Sequence, residues 1–328
     1  MLIDNHHREI NYLRLAVTDR CNLRCTYCMP ENGINFAKKN TLLTIDELIR
    51  LSNLMIAEGV DKIRITGGEP FVRKDIMQLL RSLRSNEKLK DLSITTNATL
   101  IGPYIEELKE IGIDHINVSL DGVNAESFKH ITRRNQFETV YENLIKLVEA
   151  DFDIKINCVV MNGQNTDQII PMLKTLTKHY PISVRFLEEM PFNGKGDSYN
   201  SIEWNHKRIF QHISESYSEI EKLYSGPTST SVNYKIPGHL GTFGIIPSFS
   251  RTFCGSCNRL RITATGDIIT CLYANAYSNV REMLRNHPNS DQAFINEVKT
   301  AISQRAKTGI EAEELNKESL NSMTSIGG

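Results

Sequence analysis

Two groups of three cysteines are the residues in this sequence best suited to chemistry. Cys21, Cys25 and Cys28 lie in LRLAVTDRCNLRCTYCMP with C-x3-C-x2-C spacing, directly after the apolar run Leu13–Val17. Three thiolates on one short loop can hold three irons of a cubane iron–sulfur cluster, whose ligands are normally four cysteines. No fourth cysteine follows nearby. The fourth iron is then left open, and an open coordination position makes a metal site catalytic rather than structural. A zinc knuckle with a borrowed fourth ligand shares the spacing; the aromatic Tyr27 beside Cys28 weighs against it. Cys254, Cys257 and Cys271 form the second group, C-x2-C-x13-C, in FCGSCNRLRITATGDIITC. Again there are three ligands and no obvious fourth, and His239 and His287 are in range for a Cys3His zinc site. The remaining cysteine, Cys158 in IKINCVVM, reads as a small apolar core residue.

Other residues could serve a ligand held near these groups. Gly67-Gly68-Glu69-Pro70 ends a strand-like run. Its glycines let the backbone approach a ligand closely, and a plain turn before a helix is the alternative. Arg14, Arg64, Lys155 and Arg185 stand inside or beside apolar strand runs, where a charge is costly unless paired. Four such cations at equivalent strand positions point to an anion, and Arg suits bidentate phosphate contact. Arg259 and Arg261 follow Cys257, with Leu260 between them. Strand alternation sends both arginines to one face; a charge-guarded hairpin edge is the alternative.

The elements that must position these residues alternate. Strand-like runs occur at Leu13–Val17, Lys62–Thr66, Leu92–Thr95, His115–Leu120, Lys155–Val160 and Ser183–Leu187. The clearest helix starts at the capping box Thr44-Ile45-Asp46-Glu47 and stops at Gly59. Others are predicted over Asp75–Arg84, Pro103–Ile111, Glu138–Ala150 and Asp167–His179, the last interrupted by Pro171. Apolar strands alternating with helices predict an α/β fold with a parallel sheet buried on both faces. Six units are too few for a closed eight-stranded barrel. Residues 191–250 are rich in Gly, Pro, Ser and Asn, which predicts long loops. NRLRITATGDIITCL reads as a hairpin around Thr265-Gly266-Asp267.

Composition narrows the class. The chain has 328 residues, enough for one large domain or two, and 38 basic against 39 acidic residues. Balanced charge implies no broad attraction to nucleic acid or a membrane surface. No apolar run approaches the ~20 residues of a membrane span, and MLIDNHHREI has no signal-peptide core. Cysteines kept as thiolate ligands predict a reducing, cytoplasmic setting.

The first cysteine spacing resembles that of the radical S-adenosylmethionine (SAM) superfamily. With the second cysteine group, the NRLR segment and the Gly327-Gly328 tail, the chain resembles the GTP 3',8-cyclase (MoaA) family of molybdenum cofactor biosynthesis from Tyr12 onward. The resemblance implies a partial (β/α)6 TIM-like barrel of the radical SAM type over residues 1–190, with a C-terminal cluster-binding extension over 191–328. It implies two 4Fe–4S clusters on the six cysteines. SAM would lie at Tyr27, Gly68, Ser119 and Met190. GTP would lie at Arg14, Arg64, Thr95, Lys155, Arg259, Leu260 and Arg261, to which the strand pattern adds Arg185. The stretch at 95–98 reads TTNA, where the family commonly has glycine last. Gly327 and Gly328 would enter the barrel mouth and act in catalysis.

The implied reaction removes a hydrogen from C3' of GTP through a 5'-deoxyadenosyl radical and joins C3' to C8. An electron donor and a downstream cyclic pyranopterin monophosphate synthase are the implied partners, with the chain a monomer or homodimer. Two other classes remain open at this point. One is a radical SAM enzyme that modifies a peptide and carries an auxiliary cluster. The other is a zinc-binding interaction protein.

Overall fold

Runs rich in Ile, Val and Leu favour extended chain because their branched side chains pack well on a pleated surface. In the computed structural model, which describes residues 1–113, 115–192, 202–286, 291–316 and 322–327, they form β1 (Tyr12–Ala16), β2 (Lys62–Thr66), β3 (Asp91–Thr96), β4 (His115–Ser119), β5 (Asp153–Val160) and β6 (Ser183–Glu188). Each strand pairs in parallel with the next. Parallel neighbours need long crossovers. Here these carry α1 (Ile45–Ala57), α2 (Ile76–Arg84), α3 (Ile105–Glu110), α4 (Ala125–Thr132), α5 (Phe137–Glu149) and α6 (Ile169–Met172).

The first helix shows how sequence sets its ends and its face. Glu47 N donates to Thr44 Oγ1 at 3.1 Å, and Thr44 N donates to Glu47 Oε2 at 2.7 Å. This reciprocal cap is worth about 1 kcal/mol. Leu48, Leu51 and Met55 recur at helical spacing and are fully buried. Leu51→Ala would therefore cost about 2–5 kcal/mol. Gly59 takes φ 109° just beyond the helix, which a side chain would resist. Pro171 occupies the first turn of α6, where its missing N–H breaks no helical bond. The helix then widens into a π turn over Leu173–Thr177.

The strands are apolar on only one side. In β5, Ile154, Ile156, Cys158 and Val160 are buried in the main core, while Lys155, Asn157 and Val159 alternate with them and stay partly open. The inner face is thus not apolar like the outer one: buried polar residues such as Ser93 and Asn117 alternate there with partly open ones. Helices cover the outer face, and the curved inner face lines a cavity that polar side chains share.

The chain after residue 202 returns to the same sheet. Its elements are α7 (His206–Ser216), β7 (Glu221–Lys222), β8 (Val232–Lys235), β9 (Thr242–Ile246), β10 (Arg259–Ile262), β11 (Asp267–Ile269), β12 (Ser278–Asn279), α8 (Arg281–Asn286), α9 (Asp291–Ser303), α10 (Gly309–Glu314) and α11 (Met323–Ile326). β9 adds to β6 in parallel, and β10 adds to β1 in parallel. The twelve-stranded order is β12-β11-β10-β1-β2-β3-β4-β5-β6-β9-β8-β7. The six-strand partial barrel is therefore lengthened at both edges by strands from residues 191–328. β10 and β11 form the expected antiparallel hairpin, closed by Thr263 N donating to Asp267 O at 3.0 Å, with Gly266 at φ 92°. The register sets Arg261, Arg14 and Arg64 side by side on three adjacent strands.

Candidate functional site

The first cysteine loop leaves the end of β1 and is held by the Gly67–Glu69 backbone. Gly68 N donates to Thr18 O at 2.7 Å, and Glu69 N donates to Arg20 O at 2.8 Å. A Cβ on Gly67 would meet Thr18 O at 2.4 Å, and one on Gly68 would meet Arg20 O at 2.3 Å. The glycines thus allow two backbones to touch, which fixes the loop, and Gly68 also faces the cavity. Glu69 is sealed beneath them. Its carboxylate accepts from Phe71 N at 3.1 Å, Thr96 Oγ1 at 2.8 Å and Asn97 N at 2.7 Å. Burial still pushes its pKa up to about 7.

Neutral donors surround the first thiols. Leu23 N and Asn97 Nδ2 donate to Cys21 Sγ at 3.4 and 3.6 Å. Burial raises Cys21, raises Cys25 well above the usual thiol range and pushes Cys28 up to about 12. The Tyr27 hydroxyl bonds to the carboxylate of Asp121, which also accepts from Val159 N at 2.8 Å. Burial brings Asp121 up to about 7. Such thiols do not ionise alone at neutral pH; bound iron would deprotonate them.

The second group lies where the C-terminal strands meet the barrel. Cys254 and Cys257 flank a short turn before β10, and Cys271 follows β11. Gly309 N donates to Cys254 Sγ at 3.3 Å, and Arg305 Nη2 donates to Cys257 Sγ at 2.9 Å. Burial raises the Cys257 thiol, but Arg259 and Arg305 beside it outweigh that and bring it down to about 7. Burial raises Cys271.

All six cysteines line one cavity of ≈ 290 Å³. Arg14, Arg64, Arg185, Arg251, Arg259, Arg261 and Arg305 also line it, and no Asp or Glu among the described residues does. Burial, then the neighbouring guanidinium of Arg261, holds Arg14 well below the usual arginine range. Burial brings Arg261 and Arg185 each down to about 10, with Arg259 and Arg64 respectively adding like-charge repulsion. Arg185 Nε, Arg259 Nε and Nη2, and Thr95 Oγ1 are buried without a hydrogen-bond partner. Crowded cations and orphaned donors around a cavity fit an anionic, oxygen-rich ligand.

The cavity collects most of the residues expected from sequence. Tyr27, Gly68, Ser119 and Met190 line it, as do Arg14, Arg64, Thr95, Arg185, Arg259 and Arg261. Two of the expected residues lie apart from its lining. Lys155 is on the inner face but outside the cavity lining, because its ammonium pairs with Asp153, which also bonds His115. Leu260 points the other way and is buried in the main core, as alternation with Arg259 and Arg261 demands. Only its backbone is left to meet a ligand.

Gly327 packs behind the cavity wall, against Thr66 and Arg261, which line it. Its carbonyl accepts from Thr66 Oγ1 at 2.9 Å and Arg261 Nη1 at 3.4 Å. It takes φ 82°, and a Cβ there would meet Ala16 Cβ at 3.0 Å. Ser322 Oγ, just before it, donates to Cys28 O at 2.6 Å. Gly328 and His287 lie outside the described residues. Ala98 adopts φ 60°, so the loop keeps the left-handed turn that glycine would favour.

Asn97, Asn157, Arg251 and Arg305 also line the cavity, and the sequence reading does not single them out. Asn97 carries a signal, as the neighbour of Thr95 in TTNA. Arg305 carries none, lying in a polar stretch beyond α9. His239 bonds Thr177 Oγ1 at 2.8 Å and does not line the cavity. Among the described residues no three His, Cys, Asp or Glu groups converge as ligands of a single metal ion would. The three thiols of each group face the same cavity, as ligands spread over different irons of a cubane would.

Similarity to known proteins runs along the whole chain. Residues 15–176 match the radical SAM superfamily, and residues 182–310 match the family described as Molybdenum Cofactor Synthesis C. The chain is 39% identical over 339 residues to GTP 3',8-cyclase of Listeria monocytogenes, covering 100% of this chain and 99% of that one. It is 38% identical to molybdenum cofactor biosynthesis protein 1 of Homo sapiens, covering 93% of this chain but 48% of that protein. The chain thus spans about half the length of such relatives. In fold it is similar to Streptococcus suis SuiB bound to S-adenosylmethionine, with a TM-score of 0.61 at 16% identity, covering 88% of this chain and 68% of that one.

Proposed function

This chain belongs to the GTP 3',8-cyclase family of radical SAM enzymes, and on that premise we propose that it converts GTP to (8S)-3',8-cyclo-7,8-dihydroguanosine 5'-triphosphate, the first step of molybdenum cofactor biosynthesis. One observation carries the reading: two three-cysteine groups face a single arginine-lined cavity that has no carboxylate in its lining among the described residues. A radical source alone needs the first group. A triphosphate needs the arginines. A second open-iron site beside them suits a substrate that must be held at two places.

The chain's residues divide the work. Cys21, Cys25 and Cys28 would hold the 4Fe–4S cluster that the superfamily implies, and Cys254, Cys257 and Cys271 would hold a second one. When bound, the first cluster would supply the single electron that cleaves SAM, giving a 5'-deoxyadenosyl radical that takes the hydrogen from C3' of the substrate and leaves as 5'-deoxyadenosine. Tyr27, Gly68, Ser119 and Met190 form the wall against which SAM lies. Arg14, Arg64, Arg185, Arg259 and Arg261 neutralise the triphosphate, and its oxygens meet the orphaned donors of Arg185 and Arg259. Thr95 donates its buried hydroxyl to the same ligand. The Gly327 carbonyl, fixed by Thr66 and Arg261, backs the wall beside the reacting sugar. An external electron donor, a reducing cytoplasmic setting and a downstream cyclic pyranopterin monophosphate synthase complete the proposal. No helix among the described residues is long and apolar enough to cross a membrane.

The test is anaerobic incubation of the reconstituted protein with SAM, dithionite and GTP. The expected result is 5'-deoxyadenosine together with a cyclised nucleotide. Release of 5'-deoxyadenosine with GTP unchanged would overturn the cyclase reading while leaving radical SAM chemistry intact.

A further inference from the structure

Cys257 is tied to a buried charge cluster that begins outside the barrel. The Asp4 carboxylate is sealed from solvent. It accepts from His6 N and Arg8 N, each at 2.9 Å, and from Arg8 Nε at 2.6 Å. Arg8 spends its other donors on the carbonyls of Cys254 at 3.0 Å, Ala306 at 3.0 Å and Lys307 at 2.8 Å. Residues 4–8 therefore lock the second cysteine loop against the segment after α9.

Arg305 completes this lock and is 4% exposed. Its Nη1 lies 3.7 Å from Asp4 Oδ2 and donates to Cys257 O at 3.1 Å. Its Nη2 donates to Cys257 Sγ at 2.9 Å. His6 Nε2 meets the Arg305 carbonyl at 3.0 Å, which pins the residue from the backbone side as well. The planar fork allows one guanidinium to face a carboxylate and a sulfur together. Two guanidiniums share one carboxylate here, so a positive charge is left over. The sulfur of Cys257 is the anion placed to receive it.

We propose that Arg305 raises the reduction potential of the iron–sulfur cluster held by Cys254, Cys257 and Cys271. The proposal rests on the reading that this group holds a cluster. A hydrogen bond to a ligand sulfur and a fixed positive charge both stabilise the reduced, more negative state. At the first group the donors to the Cys21 sulfur, Leu23 N and Asn97 Nδ2, are neutral, and the Arg24 guanidinium donates to the Cys21 carbonyl at 2.7 Å rather than to its sulfur. The second cluster is thereby made the easier of the two to reduce. An electron placed there is held next to the substrate rather than drawn away toward the SAM site.

The experiment is a redox titration of the reconstituted holoenzyme followed by electron paramagnetic resonance, with iron and sulfide counted in each sample. Wild type, Arg305→Lys and Arg305→Gln are compared. With about eight irons per chain retained, Arg305→Gln is expected to move one of the two midpoint potentials to a more negative value and leave the other in place. Arg305→Lys keeps the charge and loses the fork, so its shift is expected to be smaller and in the same direction. Should the Gln variant fail to load its second cluster, the Lys variant decides. Unchanged midpoints in a fully loaded variant overturn the proposal alone. About four irons per chain in the wild type overturn the underlying two-cluster reading and the proposal with it.

Discussion

Around Cys21, Cys25 and Cys28 the sulfur contacts are neutral and the buried ionisable neighbours are carboxylates, Glu69 and Asp121. Around Cys254, Cys257 and Cys271 the neighbours are guanidiniums, Arg259 and Arg305. The two groups share spacing logic and a cavity, yet one thiol of each stands apart, with Cys28 pushed up to about 12 and Cys257 drawn down to about 7. Burial raises both thiols; at Cys257 the guanidiniums outweigh it, while at Cys28 Asp121 adds to it. Buried negative charge beside the first group would oppose an added electron and keep a bound cluster strongly reducing. Guanidiniums favour negative charge and attract an anionic substrate. On the proposed reading, the first site is built to give an electron away and the second to hold what receives the radical.

The largest effect expected from breaking this division comes from the tail. Removing Gly327 and Gly328 takes away the carbonyl between Thr66 and Arg261 but none of the cysteine ligands. Cyclised nucleotide is expected to be lost while 5'-deoxyadenosine release and iron content persist. Product assayed against 5'-deoxyadenosine in the truncated protein checks this, and wild-type cyclisation would reduce the tail to a loose end.

Next in size is the cost of removing a charged donor from the substrate side. Arg259→Ala and Arg261→Ala are each expected to weaken GTP binding by about 1.5–3 kcal/mol, with iron content little changed. Equilibrium dialysis with GTP measures it. Affinity equal to wild type in both variants would leave the arginines as structural charges and remove the substrate half of the contrast.

Much of this organisation is legible in the amino-acid sequence. The six strand runs and the Thr44 capping box carry their signals locally, in branched side chains and in residues three apart. Strand alternation correctly puts Arg259 and Arg261 on one face. What stays hidden depends on distant partners. Nothing local says that β9 and β10 add in parallel to β6 and β1, because strand direction and neighbour are set by packing. Helix α4 escapes the apolar periodicity, although Asn124 caps it by accepting from Ser127 N at 2.8 Å. Helix α7 escapes it too, although Asn205 accepts from Lys207 N and Arg208 N, each at 3.1 Å. Lys155 resembles a cavity cation because its partner Asp153, two residues away, also reads as an ordinary strand-start charge. Arg305 lies 34 residues beyond Cys271, past α8 and α9, and nothing local joins the two.

A smaller and more selective effect concerns pH. The folded-state pKa of Glu69 is raised from 4.5 to about 7. Its stabilising contribution is therefore complete below about 4.5 and is lost as pH rises toward 7. Asp4 has the opposite sign: burial would raise it, but the Arg8 and His6 donors outweigh that and lower it below 3.8. Its contribution is present above 3.8 and lost as pH falls through the lowered value. Urea unfolding should show Glu69→Gln flattening the loss of stability toward neutral pH, by roughly 1 kcal/mol per pH unit. Asp4→Asn should flatten the loss at the acid end. Identical slopes in wild type and both variants would erase the electrostatic contrast between the two groups.

The most direct measurement of the central claim compares Cys25→Ala with Cys257→Ala, each reconstituted anaerobically and given SAM and dithionite. The account expects Cys25→Ala to release no 5'-deoxyadenosine. It expects Cys257→Ala to retain part of that release while forming no cyclised nucleotide from GTP. Equal loss of SAM cleavage in both, with the first cluster shown to be intact in Cys257→Ala, would contradict the division of labour between the two cysteine groups.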